Sequence, residues 1–543
     1  MKWVPWLGLA IFLVSLGLRL IGITWGLPND LHRESYHPDE PIVWAVSQRL
    51  EPASLKFTPG FYNYGTLYMT LARIASGYCA LPTDDSQDAV AMYERCCILA
   101  GRILSALAGA GTAWVVFALL RRRTHILGAV LGSLAVGFAP AFVVHSRFQT
   151  VDVVATFLLA LSLYFALKLL PDQEETPPDH YLRWAALAGL FAGLTAGTKY
   201  TGAVVILGVY AAIALARRPD WLRLAGVATL AAFLGFVVST PGALTDSGRF
   251  MAGLNYEVAH TAAGHGLVFV GTPSGFLYQL VSLWAGFTLL AFLGGFGALL
   301  YAGLRKKPWA LVLLAFTIPY YFLIGRAEVK FLRYTFPLYV PLAVGLGWAL
   351  GQAHRRGGTG RFIVIGGILA VGIQLKTATQ YTLWMAQEDP RDEAGRFFKE
   401  ESKKRPGLTV GVTDDPWFYT PALYPNVAMT RAAWNAPAGK FNLGTLQMLQ
   451  ANDPKVVYFR ADQKPDYVTY STLKSYDLDR LQNAKDLGGD QVLIDQWKEV
   501  NARLQRDYKP FGVFGGQPPP RLYREDLEYV HPYVFVWKRK DLP

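Results

Sequence analysis

Charge is scarce in this chain. Asp, Glu, Lys and Arg make up 17% of its 543 residues, while 52% are hydrophobic. That balance excludes an ordinary soluble domain. Cysteine is scarce too: Cys79, Cys96 and Cys97 show no zinc spacing and suggest no disulfide framework. The adjacent pair reads as packing residues at a helix start. There is no Walker motif and no credible Gly-x-Gly-x-x-Gly loop, so nothing supports a nucleotide phosphate site. No sequence repeat is evident.

Long apolar runs fill the space that charge leaves. The first, Val4 to Gly26, is 23 residues long and sufficient to cross a bilayer. It carries one N-terminal lysine, no small-residue cleavage site and an internal Arg19, so it reads as a retained anchor rather than a signal peptide. Ten further segments follow: 96–120, 126–144, 153–170, 184–197, 201–216, 222–240, 276–301, 309–324, 334–351 and 362–379. The expectation is a mainly α, polytopic helical membrane bundle of about eleven helices. Basic residues orient it. With the N-terminus inside, the inner loops receive Lys2, Arg121 to Arg123, Lys168 with Arg183, Arg217 to Arg223, Arg305 to Lys307 and Arg355 to Arg361, as the positive-inside rule requires.

Residues 1–383 thus form the membrane domain, with an outer loop at 27–93. Residues 384–543 form a polar tail of net charge +1, which leaves +11 of the chain's +12 in the membrane half. The basic balance therefore follows topology and implies no nucleic-acid partner. An odd number of spans places the tail outside. Short β-rich runs at 408–412, 455–459 and 533–537 alternate with helical stretches, so the tail reads as a small exterior α/β domain.

Polar groups gather at the outer helix ends. The run Arg33-Glu34-Ser35-Tyr36-His37-Pro38-Asp39-Glu40 places two adjacent carboxylates and a histidine just past the first span. His145-Ser146-Arg147 leads to Asp152; Gly197-Thr198-Lys199-Tyr200 forms a short turn; and Arg326, Glu328, Lys330 and Arg333 crowd a fourth loop. The loop at 241–275 adds Glu257, His260 and His265. Each group has a plain alternative. Asp39 and Asp152 both stand where helices begin and suit capping. The outer lysine and arginines suit lipid headgroups, and the histidines suit packing. Convergence favours chemistry: cations held against the positive-inside bias need a counter-ion or an anionic ligand. Several cations beside several carboxylates at a bilayer fit a phosphate bound next to a proton acceptor.

At these residues the chain resembles the GT-C superfamily of integral-membrane glycosyltransferases, in the branch of protein O-mannosyltransferases and aminoarabinose transferases. The ordered set is Arg19-Leu20, Leu27-Pro28, His37-Pro38-Asp39-Glu40, His145-Ser146-Arg147, Asp152, the 193–201 run around Lys199, and Phe331-Leu332-Arg333-Tyr334 with Pro337. It spans residues 1 to 380. The resemblance implies a GT-C bundle that inverts a sugar taken from a polyprenyl-phosphate donor onto an acceptor hydroxyl. Asp39 would be the base, with Glu40 and Asp152 beside it. Lys199 and Arg333, with Arg147, Arg326, Lys330 and Tyr200, would hold the lipid phosphate. His37, Tyr64, Glu328, His260 and His265 would meet sugar or acceptor. No cofactor is expected; the alternative is a divalent metal on Asp39 and Asp152. A multi-pass protein of a bacterial-type inner membrane, with its site and tail in the periplasm, completes the expectation. The acceptor could be a glycan, a lipid-linked saccharide or a protein. Two other classes stay open, a lipid or saccharide flippase and a scaffold with an exterior binding domain.

Overall fold

A computed structural model describes residues 4–32, 34–82, 87–171, 180–413, 419–421, 423, 454–484, 491–516 and 525–542. Helices dominate, and the protein is a multi-pass membrane protein. Among the described residues, five helices are long and apolar enough to cross a membrane, including Trp221–Ser239 and Pro308–Gly325. Shorter apolar helices, such as Pro5–Leu20 and Val151–Leu167, lie beside them.

Two expected spans are broken, each for a visible reason. The segment 126–144 divides into helices Ile126–Gly137 and Pro140–His145. Pro140 has no N–H to give and pushes Ala139 to an extended ψ of 117°. The freed Gly137 carbonyl is not left bare in the bundle, because the Arg19 guanidinium donates to it at 2.8 Å. The segment 276–301 is not one rod either. Helices Gly275–Phe287 and Leu289–Leu304 meet at 114° around Thr288, and Gln374 donates to the Phe287 carbonyl at 2.7 Å. Irregular backbone at membrane depth survives where protein supplies the missing hydrogen bonds.

Small residues set the closest approaches. A Cβ on Gly189 or Gly193 would lie within about 2 Å of the Ala228 or Ala232 carbonyl oxygen, so helices Tyr181–Ala196 and Trp221–Ser239 pack backbone to backbone. Gly65 meets the Gly197 backbone just as tightly. That contact sets the loop 27–93 against the turn carrying Lys199.

The tail is a small α/β domain, as expected. Strands β1 (Thr409–Val412), β2 (Lys455–Tyr458), β3 (Tyr467–Ser471), β4 (Tyr508–Phe514) and β5 (Val534–Arg539) make one sheet in the order β2-β1-β3-β5-β4. β1 runs parallel to β2 and β3, while β5 is antiparallel to β3 and β4. Phe398, Leu408, Val410, Val412, Tyr467 and Val536 form its core. Asp389 caps the helix Pro390–Lys404 by accepting from the Arg391 N–H at 2.9 Å.

The domain is fastened to the bundle at the loop that leads to Asp39. The buried Arg391 guanidinium pairs with Asp389 and lies 3.8 Å from the Tyr36 ring centroid. Asp392 accepts from Tyr36 Oη at 2.5 Å and from Asn29 Nδ2 at 2.9 Å. Trp25 donates its indole N–H to Asp389 at 3.0 Å.

One expectation fails outright. Cys79 and Cys96 form a disulfide across 17 residues, and only Cys97 is a free, buried thiol. The folded loop 27–93 brings Cys79 back onto the helix that carries Cys96, a closure that spacing alone does not reveal.

Candidate active site

Glu40 anchors the site without entering it. Its carboxylate is fully buried and accepts from Arg102 Nε at 2.8 Å and Nη2 at 2.6 Å, from the Gln149 N–H at 2.6 Å and from Ser35 Oγ. Arg102 spends its remaining donors on the Ile23 and Trp25 carbonyls. The expectation that Glu40 stands beside Asp39 in the chemistry gives way to a structural reading: its lone pairs are taken. A buried ion pair with every hydrogen bond made holds a loop in one place.

That anchor aims Asp39. It stands at the N-cap of helix Glu40–Ser47, yet its side chain makes no capping hydrogen bond. Instead Asp39 Oδ2 lies 3.1 Å from Arg333 Nη2. Its own N–H donates to His37 Nδ1 at 3.2 Å, so His37 is the neutral tautomer with its proton on Nε2. Burial pushes the His37 imidazole down to about 4, against the pull of Asp39 and Glu40. For Asp39, burial pushes the carboxyl up, but the Arg333 guanidinium, with Lys199 behind it, outweighs burial and holds the group below the usual carboxylate range.

Asp152 is the second carboxylate. It begins helix Val151–Leu167 without capping; Thr150 occupies the cap position. Asp152 Oδ1 lies 2.5 Å from Lys199 Nζ, and Oδ2 lies 3.9 Å from Arg333 Nε. Lys199 also sits 4.1 Å over the Tyr334 ring. A small pocket opens here, lined by Asp152, Lys199, Thr201, Tyr320, Arg333 and Pro337 among others. Asp39, Asp152, Lys199 and Arg333 therefore converge, although they come from four separate segments.

Several other candidates do not join them. Arg147 is buried and donates to the Leu18, Ile21 and Val143 carbonyls and to Thr382 Oγ1. It is a clamp between helices, with its donors spent on bundle carbonyls and a hydroxyl. Lys330 is buried and bound to Glu328, Thr272 Oγ1 and the Pro273 carbonyl, so it closes its own loop. Tyr200 donates to the Tyr62 and Tyr64 carbonyls and pins the first outer loop. Arg326 is exposed at the end of its helix. His260 and His265 lie 3.3 Å apart at the rim. Tyr64 borders the cluster: burial and the Asp39 charge hold its phenol well above the usual range, with Arg333 opposing. Among the described residues no three His, Cys, Asp or Glu side chains make a metal cluster.

One participant was missed. Asp526, in the four-residue helix Glu525–Glu528 of the tail, is buried against Arg333. Its Oδ2 accepts from the Arg333 backbone N–H at 3.0 Å and lies 3.7 Å from Arg333 Nη1. Nothing local marks it in the sequence, because its partner is 193 residues away.

The sequence matches the family model for dolichyl-phosphate-mannose-protein mannosyltransferase over residues 97–244, a stretch that contains Arg102, Asp152 and Lys199 but neither Asp39 nor Arg333. No curated protein sequence matches it. Two crystal structures of ArnT from Cupriavidus metallidurans are similar to it at 14% identity. The apo form gives a TM-score of 0.53, covering 99% of this chain and 98% of that one. The form bound to undecaprenyl phosphate gives 0.50, covering 98% of each. These likenesses extend over bundle and tail alike, and the chain has the GT-C fold of integral-membrane glycosyltransferases.

Proposed function

We propose that the chain is an inverting glycosyltransferase that moves a sugar from a polyprenyl-phosphate donor to an acceptor hydroxyl at the outer membrane face. The observation that carries this reading is the Asp39–Arg333 pair at 3.1 Å. It is a carboxylate free of capping duty, held against a guanidinium that lines a pocket together with Lys199 and Asp152. The ArnT structure with undecaprenyl phosphate supports a polyprenyl phosphate as the lipid part of the donor.

In the reaction, Asp39 takes the proton of the acceptor hydroxyl as its oxygen bonds to the anomeric carbon. The carbon–oxygen bond to phosphate breaks, its electron pair passes to the phosphate, and single displacement inverts the centre. Arg333 and Lys199 receive the charge that develops there. No metal is required on this reading, because the two cations carry that role.

Sharing Arg333 has a consequence. While it is paired with Asp39, the carboxylate is a weak base. A donor phosphate that draws the guanidinium away removes the main opposition to burial, and the Asp39 pKa rises. The base becomes effective only when donor is present.

The side of the membrane also belongs to the proposal. The basic loops favour an outer site, and the Cys79–Cys96 disulfide on the first outer loop suits an oxidising compartment such as the periplasm. Incubation of the reconstituted protein with radiolabelled polyprenyl-phosphate sugars tests the function. Metal-independent transfer to an acceptor is expected. Movement of the lipid across the bilayer without transfer would identify a flippase, and neither activity would identify a scaffold. Loss of transfer with a chelator, restored by a divalent ion, would overturn the metal-free mechanism.

A further inference from the structure

Two cations, Arg333 and Lys199, face three carboxylates, Asp39, Asp152 and Asp526. A site for an anionic phosphate carries one negative charge too many. Asp39 is needed as the base, and Asp152 holds Lys199. Asp526 is the surplus, and it alone comes from the exterior domain.

Its surroundings are those of a ligand rather than of a settled ion pair. Asp526 Oδ2 accepts the Arg333 N–H at 3.0 Å, in the single 3-10 turn Leu332–Thr335 that leads into the helix Phe336–Arg356. Arg333 Nη1, buried and 3.7 Å away, makes no hydrogen bond among the described residues. His145 Nε2 stands 4.0 Å off. Among the described residues, Arg333, His145, Asp152, Asp39, Tyr334 and Tyr339 are the charged or titratable groups that face Asp526. Backbone N–H, guanidinium and imidazole donors around one oxygen make a cradle for an anion, and a carboxylate from another domain fills it loosely.

We propose that Asp526 is a built-in counter-anion: it occupies the phosphate-facing donors of Arg333 in the unliganded protein and sets how tightly lipid phosphate is held. Burial raises the Asp526 carboxyl above its ordinary range against the pull of Arg333, as expected of a carboxylate in a site already rich in negative charge. The inference rests on the proposed role of Arg333 in binding phosphate. After transfer, the leaving lipid phosphate carries more negative charge than the donor did. A fixed carboxylate beside it opposes its retention and speeds turnover. The exterior domain thereby tunes release of the product.

The sign of one measurement decides the matter. Asn and Ser accept a backbone N–H as well as Asp does, so Asp526→Asn and Asp526→Ser keep the hydrogen bond and remove only the charge. In the full-length reconstituted protein, both variants are expected to bind undecaprenyl phosphate about three- to thirtyfold more tightly than the parent. Turnover at saturating donor should fall together with KM. Weaker or unchanged binding overturns the proposal and leaves Asp526 as a structural cap, as does failure of both variants to fold. Arg333→Lys, measured alongside, separates the two layers. If it weakens binding while the Asp526 variants do not tighten it, the counter-anion fails and the phosphate role of Arg333 stands. If neither residue alters affinity, the phosphate reading falls and the counter-anion falls with it.

Discussion

Asp39 and Glu40 are neighbours with opposite environments, and substitution should expose the difference. Asp39→Asn is nearly isosteric but cannot accept the proton. Turnover is expected to drop by about 10²-fold or more, while thermal stability and binding of undecaprenyl phosphate persist. Glu40→Gln should act on folding instead. It leaves Arg102 charged and unpaired in a buried site, which costs about 3–5 kcal/mol. A large loss of melting temperature or of folded yield is the expected readout. Near-normal turnover by Asp39→Asn would remove it as the base, and a stable Glu40→Gln with slow chemistry would return Glu40 to the reaction. Arg333→Ala and Lys199→Ala should each weaken undecaprenyl phosphate binding about ten- to a hundredfold, because charge-assisted contacts are worth about 1.5–3 kcal/mol. Arg333→Lys should recover part of that, lacking the planar fork.

At the scale of elements, the short helix Glu525–Glu528 brings Asp526 to the site and carries a second perturbed carboxyl. Burial, with a smaller push from Asp477, raises Glu528 to about 8. A carboxyl whose folded pKa lies above its unfolded value binds protons more tightly in the folded state. Stability is therefore greatest below the unfolded pKa, near 4.5, and falls as pH rises through 8. Thermal unfolding should show a loss on the order of 1–3 kcal/mol between pH 5 and pH 9, and Glu528→Gln should flatten it. A pH-independent parent would place Glu528 in water. The disulfide makes a separate expectation: Cys79→Ser, or reduction, should lower stability by about 3 kcal/mol, as for other loops near this length. Non-reducing peptide mapping checks the linkage itself.

What the elements reveal also explains what the sequence could and could not tell. Apolar runs and basic loops marked the bundle, because both are local patterns. The gathering of Asp39, Asp152, Lys199 and Arg333 was legible because charge at the end of an apolar helix has few innocent explanations, and the four side chains do come together. Glu40 and Arg147 misled, since a residue type at the right depth says nothing of where its lone pairs or donors turn. The disulfide and Asp526 were invisible for a simpler reason: both depend on chain closure. The helix breaks at Pro140 and Thr288 fall between these cases, one announced by proline and the other by nothing local. Among the tail aromatics, Trp417, Phe418, Trp434 and Tyr523 lie outside the described residues, while Tyr533 is packed in the domain and Trp537 lies partly buried on β5.

For the whole molecule, the C-terminal domain is part of the site. Arg391 and Asp392 grip Tyr36, and Asp526 meets Arg333, so both walls of the site depend on it. Truncation after residue 383 is expected to abolish binding of undecaprenyl phosphate along with transfer. A folded truncation that still binds this lipid would show that the lipid site stands without the domain. Orientation can be checked at Lys498, an exposed side chain of the helix Gln491–Asp507. Lys498→Cys should react with an impermeant thiol reagent in intact spheroplasts, and protection there would invert the topology.

The buried pair of Glu40 and Arg102 bears on how the chain enters the membrane. An arginine within an apolar helix costs several kcal/mol to insert alone. Glu40 lies 62 residues before Arg102 and, on the proposed topology, has already crossed when the second span arrives. Synthesis order thus delivers the counter-ion before the charge that needs it. A Glu40 variant should reveal itself at insertion, as a second helix that fails to stay in the bilayer, before any question of catalysis arises.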